Sequence, residues 1–276
     1  MIIDAHQHFW QYSPERHAWI TEEMSVIRRD FMPEDLQAAW QNHLVEGCVA
    51  VQADQSEEET LFLLDLAEKN DFIKAVVGWV DLRSEQLEER LEYFAQFHKL
   101  RGFRHIVQNE PEDNFMLRED FQRGLSLLKK YNFTYDILIY PHQMQAALQT
   151  VQNFPEQPFV LDHIAKPYIK ERKITQWDDY IHAMASQENV YCKISGLVTE
   201  ADWQYWTYLD FVPYLDVVWD AFGADRVMFG SDWPVCLLAG TYTEVLEILQ
   251  TYTQHLSEAE KTKIFSGNAK RFYGNN

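Results

Sequence analysis

Residues 1–10 read MIIDAHQHFW, and this stretch separates the two folds that the rest of the chain allows. A short apolar run ends in two histidines one residue apart. In a strand, residues i and i+2 point to the same side, so His6 and His8 share a face. They are either a convergent pair with a chemical task or ordinary polar groups where a strand surfaces. A doubly wound open sheet would carry a glycine-rich turn after its first strand, and AHQHFW contains no glycine.

Seven more β-rich runs follow: GCVAVQA (47–53), IKAVVGWV (73–80), LRGFRHIV (100–107), FTYDILIY (133–140), PFVLDHI (158–164), VYCKISG (190–196) and RVMFGSD (226–232). Most are continuously apolar rather than alternating, as expected of parallel strands covered on both faces. Helical patterns lie between them. Ser56 to Glu59 reads as a capping box opening TLFLLDLAEKN, where Leu61 and Leu64 with Asp65 and Glu68 suggest an apolar and a charged side. Pro33 suits the first turn of MPEDLQAAWQNHL, and Ser257 to Glu260 opens a terminal helix running to Tyr273. No linker or low-complexity tract interrupts the series. The pattern predicts a (β/α)8 barrel, one domain over residues 1–276.

Composition narrows the function. The chain has 276 residues, 46% hydrophobic and 24% charged, enough apolar mass for a large core. Its net charge of −19 argues against nucleic acid as a partner, because phosphate backbones need clustered Lys and Arg. No segment approaches the roughly 18 apolar residues of a membrane span. Cys48, Cys192 and Cys236 are far apart and sit in apolar surroundings, so they are read as reduced and buried, which suits the cytoplasm.

A barrel keeps its active site at the carboxyl ends of its strands. Those ends carry His6 and His8; Gln52; Asp81; Arg104 and His105; Tyr140, with His142 just beyond; Asp162, His163 and Lys166; Lys193 and Ser195; and Asp232. Titratable groups gather at one end of nearly every run. Trp10 and Trp233 flank the site candidates, for packing or for stacking on a ring. Ser195 has no nucleophile-elbow setting, which argues against a serine hydrolase.

The blocks DAHQHFW, LRGFRH, LDHIAKP and MFGSDWP, with GNAKRFY near the end, occur in the order of the amidohydrolase superfamily. The chain resembles its amidohydrolase-2 branch, and within it the sugar lactonases. What the resemblance implies is opening of a sugar-acid lactone such as L-fucono- or L-rhamnonolactone by water. Asp232 would be the general base. His6, His8 and His163 would bind substrate, polarise the carbonyl or, with Asp232, hold one divalent metal, zinc first. Arg104, His105, Lys166, Lys193, Trp233, Tyr140 and Gln52 are the substrate-binding candidates. No lysine ends the fourth or fifth run, which argues against a binuclear centre. The resemblance leaves a single-metal and a metal-free reaction both open, and makes a homodimer a possible assembly. Alternatives are a pyrone-dicarboxylate-type lactonase, a nonoxidative decarboxylase of the same branch, or a barrel that only binds. The sequence assigns no role to His142, Asp162 or Asp81 and does not name the sugar.

Overall fold

The computed structural model describes residues 1–274. Eight parallel strands pair in chain order: β1 (Ile2–Gln7), β2 (Val45–Val51), β3 (Ile73–Gly78), β4 (Leu100–His105), β5 (Thr134–Ile137), β6 (Phe159–Leu161), β7 (Val190–Ile194) and β8 (Val227–Phe229). The ring closes between its ends. Asp232 N donates to His6 O at 2.8 Å and His8 N donates to Trp233 O at 2.7 Å. Below them Asp4 of β1 accepts from the Ser231 amide at 2.9 Å and its hydroxyl at 2.6 Å, tying β1 to the chain leaving β8.

The strands are shorter than the apolar runs that announce them. β6 stops at Leu161, and DHIA turns out of the ladder at once. Residues such as Ile139 and Ile164 stay buried after leaving the sheet, so hydrophobicity outlasts pairing there. The crossover helices are α1 (Pro33–Ala39), α2 (Glu57–Lys69), α3 (Leu87–Phe94), α4 (Glu119–Leu128), α5 (Met144–Asn153), α6 (Trp177–Ala185), α7 (Tyr208–Phe222) and α8 (Tyr242–Tyr252). In α2, Ser56 caps as expected, accepting from Glu59 N at 3.2 Å. Glu59 does not complete the box; its carboxylate turns inward and accepts from Ala53 N at 3.0 Å. Leu61 lies on the outer side, and the buried face is Leu63, Leu64 and Ala67.

The expected terminal helix runs from Glu258 to Tyr273 with one irregularity inside it. α9 (Glu258–Thr262) is followed by one wider π-type turn and then α10 (Asn268–Tyr273). α10 lies beneath the barrel. Phe272 and Tyr273 pack there with Ile3, Val49, Ala75 and Val160, closing the end opposite the site. A separate, larger core lies between strands and helices. Cys48, Cys192 and Cys236 are buried and unpaired, as expected. Among the described residues no helix is long and apolar enough to cross a membrane.

Candidate active site

Three imidazoles and one carboxylate meet at the carboxyl end of the barrel. His6 and His8 come from β1 and its exit, His163 from the turn after β6, and Asp232 from the chain after β8. From Asp232 Oδ1, the Nε2 atoms of His8, His6 and His163 lie at 3.3, 3.9 and 4.0 Å. None of the four residues is more than 4% exposed.

The backbone is bent to achieve this. His163, Ile164, Ala165 and Lys166 all have positive φ, between 47° and 58°, a full turn of left-handed backbone built from residues with a Cβ. Asp232 has φ 57°. Left-handed backbone disfavours each such residue by about 1–2 kcal/mol, so the surroundings must hold it. Trp177 Nε1 does part of this, donating to Ile164 O at 2.8 Å. Gly196 (φ +63°) does another part, since a Cβ there would fall 2.6 Å from His163 Nδ1.

Hydrogen bonds orient all three imidazoles and settle the tautomer of His8. His8 Nδ1 lies 2.7 Å from the Val51 carbonyl and must carry the proton, leaving the Nε2 lone pair toward Asp232. His6 Nε2 lies 3.2 Å from Arg104 Nη1, which can only donate, so Nε2 accepts. His6 Nδ1 lies between Lys193 Nζ at 3.2 Å and Asp162 Oδ1 at 3.3 Å. His163 Nδ1 pairs with Ser195 Oγ at 2.9 Å. Ser195 is 1% exposed and not on the wall of the cavity, so it meets the histidine from behind.

Burial is the first reason that His6 and His163 are held neutral, well below the usual imidazole value. Lys193 and Arg104 add to this at His6, against Asp162. For Asp232, burial favours the neutral acid, but His163, His8 and Lys166 outweigh it and hold the carboxyl below its ordinary value. A carboxylate oxygen facing an imidazole lone pair at 3.3 Å is an arrangement satisfied by a shared proton or a cation.

Directly beneath lies a layer of paired charges. Lys193 Nζ is 2.5 Å from Asp136 Oδ2 and 3.0 Å from Asp162 Oδ1; Arg104 Nη1 is 3.0 Å from Asp162 Oδ2. Tyr273 reaches up from α10 and donates to Asp136 Oδ2 at 2.7 Å.

A cavity of about 360 Å³ opens above the cluster, within the size range of small-molecule sites. Its rim has two characters. After β4 to β7 it carries the polar groups Gln108, Asn109, Tyr140, Lys166 and Glu200 among the apolar Ile106, Leu138 and Trp203; after β8 and β1 it is apolar beyond Asp232 and His8, with Val235, Leu238, Trp19 and Met24. Lys166 and Glu200 form an ion pair at 3.3 Å.

The structure thus brings together His6, His8, His163 and Asp232, with Arg104, Lys166 and Tyr140 also on the cavity wall. Four expected substrate contacts lie elsewhere. His105 follows Arg104 in the strand and so faces outward, bonding Glu110 at 2.6 Å and stacking on Phe115. Lys193 is fully buried among its carboxylates, below the cavity. Trp233 packs edge-on against Phe9 and Phe31, and Trp10 is likewise enclosed, so neither offers a ring face to a ligand. Gln52 donates to Arg104 O at 3.0 Å and accepts from its Nη2, a brace for the arginine. His142 sits 3.6 Å from Asp113 with nearly half its side chain exposed, and Asp81 pairs with Arg83. Sequence reasoning missed Glu200, Trp203 and the apolar rim, which lie in loops without motif. It also missed Asp136, whose charge inside the apolar run FTYDILIY was a usable signal.

Two overlapping donor sets among the described residues could hold a metal, one of them His6, Asp162 and His163, the other at the cavity floor. His6, His8 and Asp232 offer ligand atoms within 4.8 Å of one another, and His163 Nε2 faces the same carboxylate. Neutral imidazoles and one carboxylate are the ligands zinc takes, and the outer nitrogens are already anchored.

An eight-stranded barrel with imidazoles and a carboxylate converging on a cavity at its carboxyl end defines a water-activating barrel hydrolase. Comparison with known proteins supplies the family. The Amidohydrolase family profile matches residues 3–275, and the chain belongs to that family. It is 39% identical to an L-fucono-1,5-lactonase of Burkholderia multivorans over 282 residues, covering 98% of this chain and 95% of the relative. It is 35% identical to an L-fucono-1,5-lactonase of Burkholderia ambifaria, covering 98% and 94%. A crystal structure of an amidohydrolase from Burkholderia multivorans with bound zinc superposes with a TM-score of 0.96 at 39% identity, over 100% of both chains.

Proposed function

We propose that this chain hydrolyses the ring ester of a sugar-acid lactone, with an L-fuconolactone-like compound as the favoured substrate class. The observation that carries the reading is one carboxylate oxygen, Asp232 Oδ1, within 4.0 Å of three imidazole Nε2 atoms under a cavity of monosaccharide size. The 39% and 35% identical relatives named as L-fucono-1,5-lactonases support the substrate class. The divided rim supports it too. A deoxysugar lactone has hydroxyls for the polar arc and a methyl group for Val235, Leu238 and Met24.

In the mechanism we infer, water adds to the lactone carbonyl and the ring C–O bond breaks, giving the hydroxy acid. Asp232 accepts a proton from the attacking water and returns it to the departing ring oxygen. Its carboxyl is held below the ordinary carboxylate range, so it stays ionised and is available as a base across the neutral range. His8 and His163 flank the carboxylate and fix the water's position, while Lys166 and Tyr140 bind substrate hydroxyls from the rim. A divalent metal bound by His6, His8, His163 and Asp232 would supply Lewis-acid polarisation of the carbonyl.

The test is hydrolysis of pentono-, hexono- and deoxyhexonolactones by the purified protein, before and after chelation, followed by acid release. Asp232→Asn should retain the fold and lose about 10²–10⁴-fold in rate, the range for a positioned general base. Full rate in that variant would remove Asp232 from the mechanism. Inertness toward every lactone, with CO₂ released from aromatic acids, would replace the reading by a decarboxylase.

A further inference from the structure

The site histidines are not equivalent. His8 and His163 have their Nε2 atoms turned only toward Asp232, whereas the Nε2 lone pair of His6 already accepts from Arg104 Nη1 at 3.2 Å. Arg104 is fixed in that pose. Its Nη1 also reaches Asp162 Oδ2 at 3.0 Å, its Nη2 donates to Gln52 O, and Gln52 Nε2 bonds back to Arg104 O at 3.0 Å. The residue is 3% exposed. Yet His6 Nε2 is also the ligand atom that joins His8 and Asp232 as a cation-binding set. The other nitrogen of His6, Nδ1, faces away from His8 and Asp232, toward Asp162 Oδ1 and Lys193 Nζ, 3.2 Å away.

One lone pair therefore has two claimants. We infer that Arg104 competes with a divalent cation for His6, so that the floor of the site has two states, one with His6 held by the guanidinium and one with His6 on the metal. A metal ion must break a charge-assisted hydrogen bond and accept a fixed positive charge close by. Arg104 thus lowers the metal affinity of an otherwise well-formed donor set. This rests on the donor geometry and not on which lactone, if any, is the substrate.

Removing Arg104 still leaves Asp162 paired with Lys193, so folded variants are expected. The experiment measures the zinc dissociation constant of the chelator-stripped protein by competition with a colorimetric chelator. Wild type, Arg104→Met and Arg104→Lys are compared, with thermal melts as the check on folding. Zinc should bind Arg104→Met about 10- to 100-fold more tightly than wild type, the equivalent of one charge-assisted hydrogen bond. Arg104→Lys keeps a charge for Asp162 but loses the fork that reaches His6, and should tighten binding by a smaller factor. If Arg104→Met does not fold, Arg104→Lys decides alone. A second cycle in a His6→Asn background isolates the contested ligand. There the Arg104 substitution should no longer tighten binding. Unchanged or weaker zinc binding in the folded variants overturns the inference. So does a gain that survives in His6→Asn, since that would be charge repulsion without competition for His6.

Discussion

Two layers of buried polar groups lie one above the other inside the barrel, and they differ in what their atoms are committed to. In the lower layer two carboxylates, Asp136 and Asp162, and two cations, Lys193 and Arg104, form three ion pairs whose charges cancel. In the upper layer three imidazoles and Asp232 leave acceptor atoms turned toward one another beneath a cavity. Burial does not distinguish them, since both layers are almost fully out of water. The difference is that the lower layer is electrostatically complete and the upper layer is completed by something that enters. A buried ion pair with every charge answered is scaffolding, whereas converging lone pairs at a cavity are equipment for chemistry.

The sharpest way to break this comparison is to delete one charge from each layer. Lys193→Met leaves two buried carboxylates short of a partner and should destabilise the fold by about 3–5 kcal/mol in urea melts. Asp232→Asn should change stability little and lose activity instead. If the two variants gave the same loss of stability, the division into scaffold and equipment would fail.

Next in size is a pH effect of the upper layer, read as a difference between variants because the buried carboxyl of Asp136 in the lower layer, raised by burial to about 6, titrates over the same range with the opposite sign. Burial holds His6 and His163 neutral in the folded state, well below the ordinary value of 6.5 that applies in the unfolded chain. Below pH 6.5 the unfolded chain binds more protons than the folded one. The stabilisation is therefore complete above that pH and is lost as pH falls beneath it, by about 1.4 kcal/mol per pH unit for each histidine. Melts of chelator-treated protein from pH 7 to pH 5 measure the slope, and His163→Asn should reduce it by one histidine's share. A slope untouched by that substitution would place the protons elsewhere.

A smaller effect sharpens the account of the rim. Leu238→Ser should lower the preference for a deoxyhexonolactone over the hexonolactone of the same configuration by about tenfold, the scale of one apolar contact. The ratio of kcat/KM values reads it directly, and an unchanged ratio would move the methyl group away from Leu238.

Much of this protein was legible in its sequence. The eight apolar runs defined a closed parallel sheet because strands covered on both faces must be apolar throughout, and the histidines of HQH shared an end by strand geometry alone. The blocks around Asp232 and His163 placed them at the same rim. Tertiary structure decided what no linear pattern encodes. Alternation alone puts the adjacent Arg104 and His105 on opposite faces, but that Arg104 meets Asp162 and His6 from two other strand ends is decided by barrel closure. Lys193 stands at a strand end but is answered by Asp136 and Asp162 from two other strands. The polar and apolar arcs of the rim come from loops far apart in the chain. Periodicity reports which way a residue faces, because that is a local property of the backbone. Which charge meets which, and what remains unpaired at a cavity, depends on distant segments brought together by closing the barrel.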